Sequence, residues 1–263
     1  MKKRTRIIIC IAVICILLLC QIYWANFQLE LNSYTVTIDT LPKSFDGFKI
    51  AHVSDVHDLE LEKLLKLLQD AQPDIIAITG DLTDGGNILD HVEQLLEIAP
   101  CYYVPGNHES RMDDYPTFRE SLKTLGVTVL ENEAVTLTLG EHSITLAGLK
   151  DPAFTDTDHI AALDSLSGQE CAILLSHRPE LFDEYVQRDF TLVLSGHAHG
   201  GQVRLPFVGG VIAPGQGLFP EYDSGLYQNN GTSMIVSRGI GGYLIPPRVN
   251  NRPEVIIIEL KAS

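Results

Sequence analysis

Five short stretches of this chain share one layout: an apolar run that stops at residues able to bind a metal or move a proton. They are "HVSDVH" with Asp55 and His57, "AITGDLTD" with Asp81 and Asp84, "YVPGNHE" with Asn107 and His108, "ILLSH" with His177, and "LSGHAH" with His197 and His199. Short apolar runs bounded by turn residues read as buried strands. In open α/β sheets, ligands bind beyond the carboxyl ends of the strands, so these five strands deliver their polar residues to a common edge. Taken singly each stretch is weak, because an Asp after a strand is usually a helix cap and a lone His a satisfied core or surface residue. Five together, all drawn from Asp, Asn and His, reverse that reading. Oxygen and imidazole ligands without cysteine suit Mn, Fe or Zn in an open site rather than a structural zinc finger.

Between these stretches the chain alternates strands and helices. "FKIAHVS" (Phe48 to Ser54) reads as a strand, "LELEKLLKLLQDA" as an amphipathic helix and "DIIAIT" (Asp74 to Thr79) as a buried strand. A helix around Ile88 to Ile98, a strand at Cys101 to Val104 and a helix near Tyr115 to Leu125 follow, which is βαβ organisation. From Val127 the texture changes, and "AVTLTLGEHSITLAGL" reads as a hairpin turning at Gly140 to His142. A second hairpin is expected at Asn229 to Gly231, where "NGT" also fits a glycosylation acceptor but Asn-Gly favours the turn. The last strand is expected at Val255 to Leu260. This mixture implies an α/β fold with two sheets. A chain of 263 residues with 45% hydrophobic content can bury one large core.

The five stretches resemble, in full and in order, the pattern D-x-H, G-D-x-x-D, G-N-H-[DE], H, G-H-x-H of the calcineurin-like metallophosphoesterases. The match runs from Asp55 to His199, and "GGQVRLP", "APGQG" and "SGLY" beyond it look like a bacterial branch of membrane-associated or exported phosphodiesterases. The resemblance implies an αββα sandwich with two mixed β-sheets. It further implies two divalent metal ions as cofactors (Mn, Fe or Zn), one held by Asp55, His57 and His199 and the other by Asn107, His177 and His197, with Asp81 bridging them. Spaced two apart, His197 and His199 would each reach a different ion, and the small residues around them let backbone pass close by. Such a pair polarises a phosphoryl group and lowers the pKa of a bridging water. The site would remain electropositive although the chain carries a net charge of -15. His108, not needed as a ligand if Asn107 is one, is free to protonate a leaving alkoxide, with Asp84 as the partner that orients it. A turn cap in "DLTDGGN" explains Asp84 equally well. Glu109 reads either as an outer hydrogen-bond acceptor or as a solvated residue.

The N-terminus carries Lys2, Lys3, Arg4 and Arg6 ahead of an apolar stretch from Ile7 to Phe27, long enough to cross a bilayer as a helix. No small-x-small cleavage site follows it, which favours an uncleaved anchor over a signal peptide. The basic residues would hold the N-terminus in the cytoplasm and place the rest outside the cell membrane. The expected division is a basic stub at 1–6, a transmembrane anchor at 7–27, a linker at 28–33 and a metallophosphoesterase domain at 34–263. Cys10, Cys15 and Cys20 fall in the anchor, and Cys101 and Cys171 at strand starts imply no disulfide framework. The acidic balance argues against nucleic acid as a partner, and no protein partner is evident. The expected partners are an anionic phosphoester, lipid-linked in one version, and the membrane through the N-terminal helix. Arg204, Arg238, Arg248 and Arg252 are candidates to grip a second phosphate or carboxylate, against the commoner reading of ion-paired surface residues. Leu218, Phe219, Tyr243, Leu244 and Ile245 lie in segments rich in Gly and Pro, either as core contacts or as a lip that touches the bilayer. The leading function is hydrolysis of a phosphodiester or pyrophosphate in a membrane or envelope molecule. The alternatives are a phosphomonoesterase, a nucleotide phosphodiesterase, or a membrane-tethered metal-binding module without turnover.

Overall fold

The computed structural model describes residues 3–57, 61–86, 88–156, 158–169, 171–241 and 247–263. A long helix, α1 (Lys3–Phe27), leads into β1 (Glu30–Ile38) and β2 (Lys49–Val53). The first α/β run then comprises α2 (Glu62–Ala71), β3 (Ile75–Thr79), α3 (Leu89–Leu96), β4 (Cys101–Val104), α4 (Tyr115–Leu125) and β5 (Thr128–Val129). A second run follows with β6 (Glu133–Leu139), β7 (His142–Gly148), α5 (His159–Leu166), β8 (Ala172–Leu175), α6 (Phe182–Val186) and β9 (Leu192–Ser195). Two small hairpins, β10 (Arg204–Leu205) with β11 (Gly209–Gly210) and β12 (Ile212–Ala213) with β13 (Gly217–Leu218), precede β14 (Gly225–Asn229), β15 (Thr232–Val236) and β16 (Glu254–Ala262).

Two six-stranded mixed sheets result, ordered β1-β16-β2-β3-β4-β5 and β14-β15-β9-β8-β7-β6. In the first, β16 runs parallel to β1 and antiparallel to β2, while β2 to β5 are parallel. In the second, β15, β9, β8 and β7 are parallel and β14 and β6 close the edges as antiparallel hairpin arms. Three buried clusters define the layers. Leu64, Leu68, Val92, Leu95, Phe118 and Leu122 on α2 to α4 pack against one face of the first sheet. Ile50, Ile75 and Ile258 of that sheet meet Ile144, Ile173, Leu194 and Ile235 of the other. Leu163, Leu166, Phe182 and Tyr185 on α5 and α6 cover the second sheet's outer face. Helix, sheet, sheet, helix is the αββα sandwich, and strands buried on both faces read as the unbroken apolar runs seen in β3, β8 and β9.

The helix covers the expected anchor at 7–27 and also Lys3 to Arg6, and the stretch expected to be a linker at 28–33 is largely strand, since β1 starts at Glu30. Glu30 pairs with Glu254, so this strand's partner lies over two hundred residues away. Cys101 and Cys171 are buried and unbridged.

Candidate metal centre

Each of the five stretches ends its strand at the same edge. Asp55 and His57 follow β2, Asp81 and Asp84 follow β3, Asn107 and His108 follow β4, His177 follows β8, and His197 and His199 follow β9. The turns are unusual in their backbone: Asp55, His57, Asp81, His197 and His199 all have φ between 47° and 65°. L-residues with side chains seldom adopt this left-handed conformation, and it clusters where function requires it. Close approach demands glycine beside two of them. A Cβ on Gly196 would lie 2.4 Å from Asp55 Oδ2, and one on Gly106 would lie 2.3 Å from Asp81 Oδ1.

Two sets of side chains come together around one carboxylate. Ligand atoms of Asp55, His57, Asp81 and His199 lie within 4.8 Å of one another, and so do those of Asp81, His177 and His197. Asp81 belongs to both. Its Oδ2 is 3.2 Å from His177 Nε2, and His177 Nε2 is 3.1 Å from His197 Nδ1. On the other side His199 Nε2 is 3.4 Å from Asp55 Oδ1. Asn107 is buried between Gly106 and His108, and its Oδ1 has no hydrogen-bond partner; nor does Asp55 Oδ1. Buried oxygens of this kind are costly unless something binds them. A pair of divalent cations sharing Asp81 suits this donor set.

Outer hydrogen bonds fix the imidazoles. His177 Nδ1 donates to the Thr79 carbonyl at 2.7 Å, which leaves Nε2 for a cation. His57 Nδ1 lies 3.1 Å from Asp84 Oδ1 and so also offers Nε2. Asp55 Oδ2 accepts from Ser54 Oγ at 2.7 Å and from the His197 amide at 3.1 Å. Asp84 meets His108 Nδ1 at 2.5 Å as well, so it joins His57 to His108 rather than serving His108 alone. His57, Asp84 and His108 form a third, outer set of close donor atoms.

Electrostatics follow from this crowding. Burial pulls the Asp81 carboxyl upward, but His177 and His108 outweigh it and hold Asp81 below the usual carboxylate range. Burial pulls His177 down, yet Asp81, Asp55 and Asp151 raise it to about 10. Burial depresses His197 and lowers His199 to about 4. The hydrogen bond from His57 lowers Asp84.

The structure settles one open alternative, Glu109 as a hydrogen-bond acceptor, and adds one residue, Arg178. Glu109 is fully buried and accepts the amides of Asp81, Leu82, Thr83 and Gly106 at 2.7 to 3.3 Å, which clamps two ligand turns together. It is not a solvated residue. Arg178, held by Asp151 at 2.6 and 2.9 Å, brings Nη1 to 2.8 Å from His197 Nε2; its only sequence signal is adjacency to His177. The four tail arginines are engaged within the chain. Arg204 binds Asp223, Arg238 binds Glu30 and Glu254, and Arg252 binds Glu30. The buried Arg248 guanidinium donates to the carbonyls of Arg238, Gly239 and Gly241. Leu218 and Phe219 are exposed, whereas Tyr243, Leu244 and Ile245 lie outside the described residues.

The family model for calcineurin-like phosphoesterases matches residues 48–201. The uncharacterized metallophosphoesterase YkuE of Bacillus subtilis is 33% identical over 257 residues, spanning 92% of this chain and 88% of its own. Phosphodiesterase YaeI of Escherichia coli is 29% identical over 228 residues, 81% of this chain and 82% of its own. A Danio rerio transmembrane protein with metallophosphoesterase domain is 30% identical over 253 residues, 87% of this chain but 56% of its own. Among solved structures, the NAD nucleotidase NadN of Haemophilus influenzae superposes with a TM-score of 0.51 at 18% identity, covering 74% of this chain and 45% of that one, a likeness of fold alone.

Proposed function

The chain belongs to the calcineurin-like phosphoesterase family, and we propose that it is a two-metal phosphoesterase that cleaves a phosphodiester or pyrophosphate bond in a membrane or envelope molecule. The observation that carries this reading is the meeting of two ligand sets at Asp81. Asp55, His57, Asp81 and His199 would hold one ion, and Asp81, Asn107, His177 and His197 the other. Two divalent ions bound there supply Lewis acidity to the phosphoryl group and acidify the attacking water.

The chain's own groups do the rest. Asp84 takes the Nδ1 proton side of His108 in its 2.5 Å hydrogen bond, and His108 Nε2 faces the cage, 3.7 Å from Asp81 Oδ2. That nitrogen is the one placed to hand a proton to a departing alkoxide. The left-handed turns and the Glu109 clamp hold the ligands before substrate arrives, so little reorganisation is needed during reaction. α1, 25 residues and apolar over most of its length, is long and apolar enough to cross a membrane. With Lys3, Arg4 and Arg6 in its first two turns, it would place the catalytic domain outside the cytoplasm.

A panel of bis-p-nitrophenyl phosphate, nucleotide-sugar lipids and p-nitrophenyl phosphate, offered to anaerobically purified and metal-analysed full-length protein, tests the proposal. Two ions per chain and preference for the diester or pyrophosphate are expected. Strong preference for the monoester contradicts the substrate class.

A further inference from the structure

Among the described residues, six of the nine large apolar side chains exposed beyond α1 fall in one short region: Leu205, Phe207, Val208, Ile212, Leu218 and Phe219. They ride on the two small hairpins β10–β11 and β12–β13. Phe207 stands at the turn of the first, wholly open to solvent and with φ at 66°, a strained backbone for a bulky residue. An exposed cluster of this kind marks a binding surface. The second of these hairpins, β12–β13, lines a cavity of about 390 Å³ with His199, Gln202, Ile212, Ala213 and Gly217 on its wall, so the apolar surface at Ile212 and Leu218 borders the metal centre.

The base of these hairpins is tied to the end of α1 through one segment. Asn26 and Arg248 exchange two hydrogen bonds, Asn26 Nδ2 to the Arg248 carbonyl at 2.8 Å and the Arg248 amide to Asn26 Oδ1 at 2.9 Å. Arg252 stacks 4.4 Å over the Trp24 ring and donates to the Gln28 carbonyl. α1 therefore ends in a docked turn, with Ala25 fully buried. The neighbouring Val249 accepts from the Arg204 amide at 3.0 Å and donates to the Gln202 carbonyl at 3.3 Å. One Cα step of about 3.8 Å thus separates the helix contact from the hairpin contact, and Phe207 lies three residues beyond Arg204, a reach of at most about 11 Å. Phe207 is therefore tethered within about 25 Å of the end of α1, counting about 5 Å for each hydrogen-bonded backbone pairing along the path.

We propose that the 205–219 hairpins are a second membrane contact: Phe207, Val208, Leu218 and Phe219 enter the interface of the bilayer that α1 crosses and lay the His199 cavity against lipid headgroups. The occupant is the lipid surface itself. With a net charge of -15 on the chain, adhesion is apolar and does not require anionic lipid. The substrate that fits is a phosphoester at headgroup depth carrying an apolar portion. Only this last statement rests on the phosphoesterase reading.

The test uses full-length protein in vesicles of phosphatidylcholine, with and without brominated acyl chains. A Phe207→Trp variant in a Trp24→Phe background is expected to show blue-shifted emission quenched by the brominated lipid, unchanged when phosphatidylglycerol is added. Water-like, unquenched emission overturns the contact. In a second arm, Phe207→Ser with Val208→Ser is expected to lower the ratio of turnover on a vesicle-borne phosphodiester to turnover on soluble bis-p-nitrophenyl phosphate about tenfold. An unchanged ratio overturns the substrate statement. Quenching without hydrolysis of any phosphoester by the metal-loaded protein leaves the membrane contact standing and overturns the enzymatic reading instead.

Discussion

Asp55, Asp81, His177, His197 and His199 are at most 3% exposed, whereas the Asp84 side chain is 48% exposed and that of His108 16%. Four of these five, all but His177, sit on left-handed turns, and the group is locked by buried hydrogen bonds; the outer pair is joined to it through His57 and opens to solvent. Two carboxylates and three imidazoles packed this tightly cannot all be neutral or all be charged without compensation. The inner group is therefore built to hold cations, or protons in their place. The outer pair is open to a substrate. Metal retention and turnover should separate along this line.

The largest separation is expected at Asp81. Asp81→Ala removes the carboxylate common to both sets, and turnover should fall by at least about 10⁴-fold, a small part of what such enzymes achieve. Metal analysis should show loss at both positions; retention of two ions would mean that Asp81 is not shared. Next in size, His108→Ala should keep both ions while kcat falls about 10²- to 10⁴-fold, the usual range for proton transfer. Unaltered kcat in steady-state assays would give His108 no role in the reaction. A smaller effect, about 10- to 100-fold, is expected from Asp84→Asn, because it disturbs the orientation of two imidazoles without removing either. If His57 matters more than His108 here, metal affinity will drop along with kcat.

The smallest effect is the proton linkage of the inner group. In the metal-free fold His177 is raised to about 10 by its carboxylate neighbours against the pull of burial. A raised imidazole stabilises the metal-free fold fully below its ordinary pKa of about 6.5, and that contribution disappears as pH climbs to about 10. Metal must expel the same proton, so affinity should rise with pH across this window by at most about tenfold per unit. Calorimetric titrations in two buffers of different ionisation enthalpy would measure the released proton. Affinity independent of pH would exclude a protonated His177 in the metal-free state.

The inner group was largely legible in the sequence because each member closes an apolar strand and short-range signals suffice: Gly80 before Asp81, Gly106 before Asn107 and Gly196 before His197. The strand β4 and the helix α4 were legible for the same local reasons. β1 was not. Its inward positions are only half-filled by large apolar residues, and the strand that pairs with it is β16, at the other end of the chain. Glu109 and Arg178 show the same limit. For Glu109 the sequence left a hydrogen-bond acceptor and a solvated carboxylate both open, and only the fold brings four backbone amides onto it. For the tail arginines the commoner reading, ion pairing, holds for Arg204, Arg238 and Arg252, but the partners are carboxylates that only the fold brings near, and Arg248 is instead buried against backbone carbonyls.

Anomalous diffraction from crystals of manganese-loaded protein examines the shared-carboxylate centre directly. Two peaks are expected, one among Asp55, His57, Asp81 and His199 and the other among Asp81, Asn107, His177 and His197. A single peak, or density confined to the outer set of His57, Asp84 and His108, would contradict it.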